Sequence, residues 1–344
     1  MRPHHRDRVR GWLLALSSAV LAAGITAVAL RDVDGGLAGD EAGASSGKDG
    51  PSTDPPADPF DPTAAKERAG RHDGLDLDEL RGVDAASRAC LLGRPADTVR
   101  PDAPAESRHW RPDLNDDFDR IDSRWWTVRD HTLLDHDDAY LLAGNVTTRG
   151  GDLAISARRE AAGGRDFTSG YVATDGKYSL PPTFQVQVRA KVPTRPGLWA
   201  APLWLRPTDG SGGEIDLAET THQPGERPTV HHSIHTSYGP DQQVAARRYP
   251  FAGIGDRTGT GWHTYVLRKT PGLMVMWVDG EVEAAFCTGS PGWYDSYYDV
   301  GKRWNLRINL QVGGWGGAPR ADDDWSGDRA TLLVDSVTTW VPAR

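Results

Sequence analysis

The chain has 344 residues with 39 Lys plus Arg against 48 Asp plus Glu, a formal charge of −9, which argues against general nucleic-acid binding because that calls for a basic face. Hydrophobic residues make up 38%, below the usual ~45–50%, yet there are 13 Trp and 39 Gly; part of the chain is expected to stay outside the packed domain while the rest is rich in aromatics. Two cysteines exclude a disulfide framework, a four-thiolate zinc site and a ferredoxin-type cluster.

In chain order, Arg2, Arg6, Arg8 and Arg10 precede an uncharged stretch from Trp12 to Leu30. A basic n-region followed by an apolar h-region, with Ala27-Val28-Ala29 as a small-x-small site, reads as a signal peptide. The stretch also reaches the ~18 residues that can span a bilayer, so over 1–30 a cleaved signal and an uncleaved membrane anchor both stay open. Either one places the protein outside the cytoplasm, secreted or attached to the membrane by its N-terminal segment. Residues 31–74 hold too few large apolar groups to offset the entropy of ordering them and read as a disordered linker. Apolar residues return between Leu75 and Leu92, so 75–107 reads as a strap against the domain. It carries Cys90, and the second cysteine is Cys287. In an oxidising compartment two lone cysteines point to one bridge, Cys90 to Cys287; the alternative is two unpaired buried thiols.

From 108 to 344 the apolar period is two, the signature of strands half buried on one face. Phe184, Val186, Val188, Ala190 and Val192 alternate with Gln185, Gln187, Arg189 and Lys191; Leu306, Ile308, Leu310 and Val312 alternate with Arg307, Asn309 and Gln311. Asp279-Gly280 between two apolar runs marks a tight hairpin. With no long amphipathic helix, the fold class is all-β: one antiparallel β-sandwich of jelly-roll type, concanavalin A-like, behind a disordered N-terminal tail. Trp199, Trp204, Trp304 and Trp315 sit in Gly- and Pro-rich contexts beside amides and carboxylates. Flat aromatic faces next to hydrogen-bonding groups suit sugars, whose rings have apolar C–H faces and hydroxyl edges. Ordinary core packing is the competing reading, and it is preferred for Trp125, Trp126 and Trp340.

The segment from Gly212 to Thr220 carries the chemistry. In a regular strand Glu214 and Asp216 share a face and Glu219 points away. One β-bulge near Leu217-Ala218 returns Glu219 to that face, with Ile215 buried behind. Three crowded acids cannot all stay ionised cheaply, so at least one pKa should rise, as a general acid at neutral pH requires. Two carboxyls about 5–5.5 Å apart across a glycosidic bond make a retaining glycosidase. An exposed acidic edge or an oxygen-ligand calcium site are the plainer readings of the same spacing.

Glu214-Ile-Asp216-Leu-Ala-Glu219 resembles the bulged E-x-D-x-x-E motif of glycoside hydrolase family 16, laminarinase-like branch, and other elements follow in order. Asp116-Asp117-Phe118-Asp119 looks like the opening D-E-F-D, with Asp117 in place of Glu. Gly197-Leu-Trp199-Ala-Ala-Pro-Leu-Trp204-Leu resembles the G-x-W-P-A-F-W-M-L strand with its proline displaced. Trp262-His263-Thr264-Tyr265, Trp277-Val278-Asp279-Gly280, the run from Asn309 to Trp315 and the closing strand from Leu333 to Val337 complete the set. The resemblance implies a concave sheet holding a polysaccharide, most simply a β-1,3-glucan, cut internally with retention. It makes Glu214 the nucleophile, Asp216 its assistant and Glu219 the acid/base, with Trp199, Trp204, His235, Trp304, Asn309, Gln311 and Trp315 toward substrate. It further implies a structural Ca²⁺ on the convex side, with a carboxylate from Asp335 and a carbonyl from Gly151, and no cofactor for catalysis. A monomer is expected.

His231, His232 and His235 form the other constellation. His231 and His235 share one strand face and His232 the other, so no strand geometry gathers them at one zinc ion. The resemblance puts His235 beside the acids and leaves His231 and His232 as sheet residues. Two rivals carry over: a transglycosylase on the same scaffold, and a noncatalytic glucan-binding or sensor module, which the presence of both glutamates disfavours.

Overall fold

The computed structural model describes residues 74–343, apart from 135, 194, 223–226 and 251–260. The N-terminal segment 1–30 and the linker to residue 73 lie outside the described residues.

Two antiparallel sheets face each other across one core. The first has seven strands in the order Val244–Pro250, Thr229–His235, Glu214–Thr221, Leu198–Pro207, Trp304–Val312, Tyr171–Ala173, Thr127–Val128. The second runs Glu281–Cys287, Leu273–Val278, His263–Thr270, Phe184–Lys191, Thr331–Pro342, Asp152–Ser156, Val146–Arg149, with Trp110–Asp116 paired to Thr331–Pro342. This is the all-β jelly-roll sandwich that period-two patterning specifies: Phe184, Val186, Val188 and Ala190 from one sheet meet Leu306, Ile308, Leu310 and Val312 from the other, all with no exposed surface. The hairpin forms at Asp279 (φ 51°) and Gly280 (φ 90°), the two positive φ values that a two-residue turn needs.

The outer face of the second sheet is covered as well. A helix, Ala85–Leu91, starts at Asp84, whose carboxylate accepts from the backbone N–H groups of Ala86 and Ser87. Leu75, Leu80, Val83, Cys90 and Leu91 then pack on Val266, Leu273, Val275, Trp277 and Ala285. Cys90 is bonded to Cys287 with the Cα atoms 5.7 Å apart, closing a loop of 197 residues. This strap explains why Leu273–Val278 is buried on both faces and why Gln185, on the polar side of its strand, is only 1% exposed.

Candidate active site

The acid strand Glu214–Thr221 lies at the centre of the first sheet, between Leu198–Pro207 and Thr229–His235. Its register against the latter runs Glu214 to His235, Asp216 to Ser233, then Glu219 to His231. Three steps on the acid strand therefore oppose two on its neighbour. That extra residue is the bulge: Ile215, Leu217 and Ala218 are fully buried while Glu214, Asp216 and Glu219 share the outward face.

One side chain gathers the acids. Ser233 Oγ donates to Asp216 Oδ2 at 2.7 Å and lies 3.4 Å from Glu219 Oε2. His235 Nε2 sits 2.9 Å from Asp216 Oδ2, and Gln242 Nε2 lies 2.7 Å from His235 Nδ1. Trp199 Nε1 donates to Glu219 Oε1 at 3.1 Å. Arg206 stands directly across from Glu214, since Trp204 pairs with Asp216 and Leu205 with Ile215; its Nε is 3.9 Å from Glu214 Oε2, which is buried without a hydrogen-bond partner. Behind the sheet, the Tyr298 hydroxyl lies 2.6 Å from the His235 carbonyl oxygen and 2.8 Å from that of Glu214, tying the two strands together.

Burial, then the neighbouring Asp216, pushes Glu214 up to about 8. Burial, then Asp216 and Glu214, pushes Glu219 well above the carboxylate range. The cationic groups favour charge on Glu214, since His235, Arg206 and Arg307 all lower it; Glu219 is influenced chiefly by burial and the two acids, offset by hydrogen bonds from Trp199 and Ser233. Burial alone would depress His235, but the Asp216 carboxylate outweighs it and raises it. Both glutamates thus hold a proton more tightly than a free carboxyl, and the cations beside Glu214 favour its charged form.

The aromatic residues divide. Trp199 and Trp315 meet edge to face with ring centroids 5.5 Å apart, and Trp315, 38% exposed, lies 4.3 Å from the His231 ring. Gln311 pairs in register with Trp199 and is half-buried beside it. Trp204 is half-buried on the acid face, its Nε1 donating to Asn309 Oδ1 at 2.7 Å. Asn309 itself has no exposed surface, so it holds Trp204 from below and presents nothing to a ligand. Trp304 is a correction: it is fully buried in the core and stacks on Tyr298 at 5.7 Å, because it shares the inward parity of Leu306 and Ile308. The sequence reading missed Ser233 and Arg206. Both were within reach of it, as the i−2 neighbour of His235 and the i+2 neighbour of Trp204.

The three histidines go to three places. His235 meets Asp216, His231 Nε2 lies 2.9 Å from Thr229 Oγ1, and His232 turns into the core. Among the described residues, Glu214, Asp216 and His235 are the only acidic and histidine groups close enough to share a metal ion, within 4.8 Å of one another. The calcium expectation meets a different arrangement on the other sheet. Asp335 Oδ1 pairs with Arg189 Nη1 at 3.2 Å and Oδ2 accepts from Ser336 Oγ at 2.8 Å. The Asp335 carboxylate is thus engaged by a half-exposed guanidinium and a hydroxyl on this face.

No family model matches the chain. A beta-glucanase of Rhodothermus marinus is 31% identical over 57% of this chain and 70% of its own length. Among solved structures, the endo-beta-1,3-glucanase of Pyrococcus furiosus shares the fold, with a TM-score of 0.59 at 24% identity over 68% of this chain and 95% of that one. SCLam, a non-specific endo-beta-1,3(4)-glucanase from family GH16, is 26% identical with a TM-score of 0.57 over 69% and 93%. With the bulged acid strand set in this sandwich and these relatives beside it, the chain belongs to glycoside hydrolase family 16, laminarinase-like branch, and is a glycoside hydrolase.

Proposed function

We propose that the protein is an exported endo-hydrolase of β-glucan, acting on β-1,3-linked chains with retention of anomeric configuration. The observation that carries the reading is the convergence of three acids on one face, with the proton affinity of both glutamates displaced upward. In a double displacement, ionised Glu214 attacks the anomeric carbon while Glu219 protonates the departing glycosidic oxygen. Glu219 then takes a proton from water, which attacks the same carbon and releases Glu214. Asp216, held by Ser233 and His235, sits between them and opposes ionisation of both. Trp199 fixes the Glu219 carboxyl by hydrogen bond and offers, with Trp315, an aromatic wall for a sugar ring. Export is supported by the basic and apolar N-terminal segment and by the Cys90–Cys287 bond, which suits an oxidising compartment.

The test is reducing-sugar release from laminarin, mixed-linkage glucan, agarose and carrageenan, with the first product's anomeric proton followed by NMR. Laminarin should be cleaved fastest, into oligomers of several lengths, each released first as the β-anomer. Initial α-anomer would overturn the retaining mechanism, and preference for agarose or carrageenan would overturn the substrate.

A further inference from the structure

The bulge that carries Glu219 leaves one residue out of register with both flanking strands. On one side Asp216 pairs with Ser233 and Glu219 with His231; on the other Asp216 pairs with Trp204 and Ala218 with Leu203. Leu217 is in register with neither neighbour and is fully buried, so its carbonyl must find a partner inside the protein. That partner is Nδ1 of His232. His232 stands opposite the extra residue, on the core face of its strand between Val230 and Ile234, where alternation calls for an apolar side chain.

We propose that His232 is a positioning residue for the acid/base carboxyl: from behind the sheet its imidazole holds the Leu217 carbonyl in the bulged conformation that turns Glu219 onto the face of Glu214. The proposal rests on Glu219 being the acid/base. To donate to a carbonyl the ring must carry its proton on Nδ1, and burial, which pushes His232 down to about 4, keeps that ring neutral in the working range. An asparagine places an N–H donor close to where Nδ1 stands, a glutamine carries it one bond further, and a leucine fills the volume with no donor. Without the donor the bulge has a buried acceptor unpaired, and a regular register, which would turn Glu219 away, gains on it.

The experiment compares kcat and KM on laminarin and on a 2,4-dinitrophenyl β-glycoside, whose leaving group needs little protonation, using the full chain. The variants are His232→Leu, His232→Gln and His232→Asn, each alone and combined with Glu219→Gln. Leu and Gln should lower kcat/KM on laminarin about 10–100-fold while sparing kcat/KM on the dinitrophenyl substrate to within about 3-fold, because kcat/KM reports the first step, whose departing group there needs little protonation. Asn should stay within about 3-fold of wild type on both, and His232→Leu should cost nothing further on Glu219→Gln. The proposal is overturned if folded His232→Leu cleaves laminarin like wild type, if kcat/KM falls equally on both substrates, or if the two losses multiply. Should the Leu variant not fold, equal laminarin activity in the Asn and Gln variants would overturn it. Glu219→Gln alone separates the two ideas: wild-type laminarin turnover there sinks the acid/base role, whereas a selective loss that does not couple to His232 sinks only this inference.

Discussion

Two clusters of buried polar groups lie on the outer faces of the two sheets, and they are built on opposite terms. Under the strap, Arg268 donates to Gln185 Oε1, to the Asp97 carbonyl and to the Arg100 carbonyl, at 2.9, 2.9 and 2.5 Å. Trp277 Nε1 reaches the Val99 carbonyl at 3.0 Å and Gln185 Nε2 the Pro101 carbonyl at 2.7 Å. Arg268, Trp277 and Gln185 each donate to an acceptor here, and these contacts fasten one segment to one sheet. On the acid strand, three carboxyls crowd together, one oxygen of Glu214 is buried without a partner, and proton affinities of both glutamates are displaced upward. Like charges held close resist ionisation, which costs stability and supplies a proton donor at neutral pH. In these two clusters the paired groups fasten and the crowded acids carry the chemistry.

The contrast predicts that substitutions in the acid cluster strike turnover and those under the strap strike stability. Glu214→Gln should lower kcat on glucan by at least about 10⁴-fold while leaving the melting temperature unchanged or higher, since an acid crowded by Asp216 is neutralised; kinetics alongside calorimetry checks it. Glu219→Gln should lower kcat/KM about 10²–10⁴-fold on unactivated glucan and little on an aryl glycoside with a good leaving group. The same residue sets a pH signature. Because Glu219 must be protonated to act and its pKa lies above the ordinary carboxylate value of about 4.3, wild-type kcat/KM should fall as pH rises through that higher pKa. A pH–rate profile should show this alkaline limb in wild type and lose it in Glu219→Gln.

On the strap side, removing the disulfide with Cys90→Ala and Cys287→Ala should lower unfolding free energy by about 2–5 kcal/mol in a denaturant titration, with kcat per folded molecule unchanged. Arg268→Met should cost about 1–3 kcal/mol by leaving its acceptors unpaired, again without effect on kcat. A strap variant that selectively lowered kcat would erase the distinction between the two clusters.

The sequence carried the sandwich because period-two burial is local: each strand announces its own inward face, and Asp279-Gly280 its own turn. It carried the acid face because one extra residue between Asp216 and Glu219 is the only way to align all three acids. Trp304 shows a conflict within the sequence itself. Its parity with Leu306, Ile308, Leu310 and Val312 placed it inward, and the glycine- and proline-rich surroundings that suggested a cleft residue carry no orientation. Gln185 failed for the opposite reason: alternation set it on the solvent side, and only the strap, folded back from residues nearly ninety positions earlier, buries it. Asn309 had the right face and the wrong depth, since a strand pattern does not say that Trp204 lies over it.

The central claim is that Glu214 and Glu219 work on one anomeric carbon from opposite roles, and azide trapping tests it most directly. With an activated aryl β-glycoside and sodium azide, Glu219→Ala should yield the β-glycosyl azide, azide attacking the covalent intermediate on Glu214 in place of water. Glu214→Ala should yield the α-glycosyl azide, azide filling the position of the missing nucleophile. The opposite pairing of variants and products, or wild-type laminarin hydrolysis by either variant, would contradict the account.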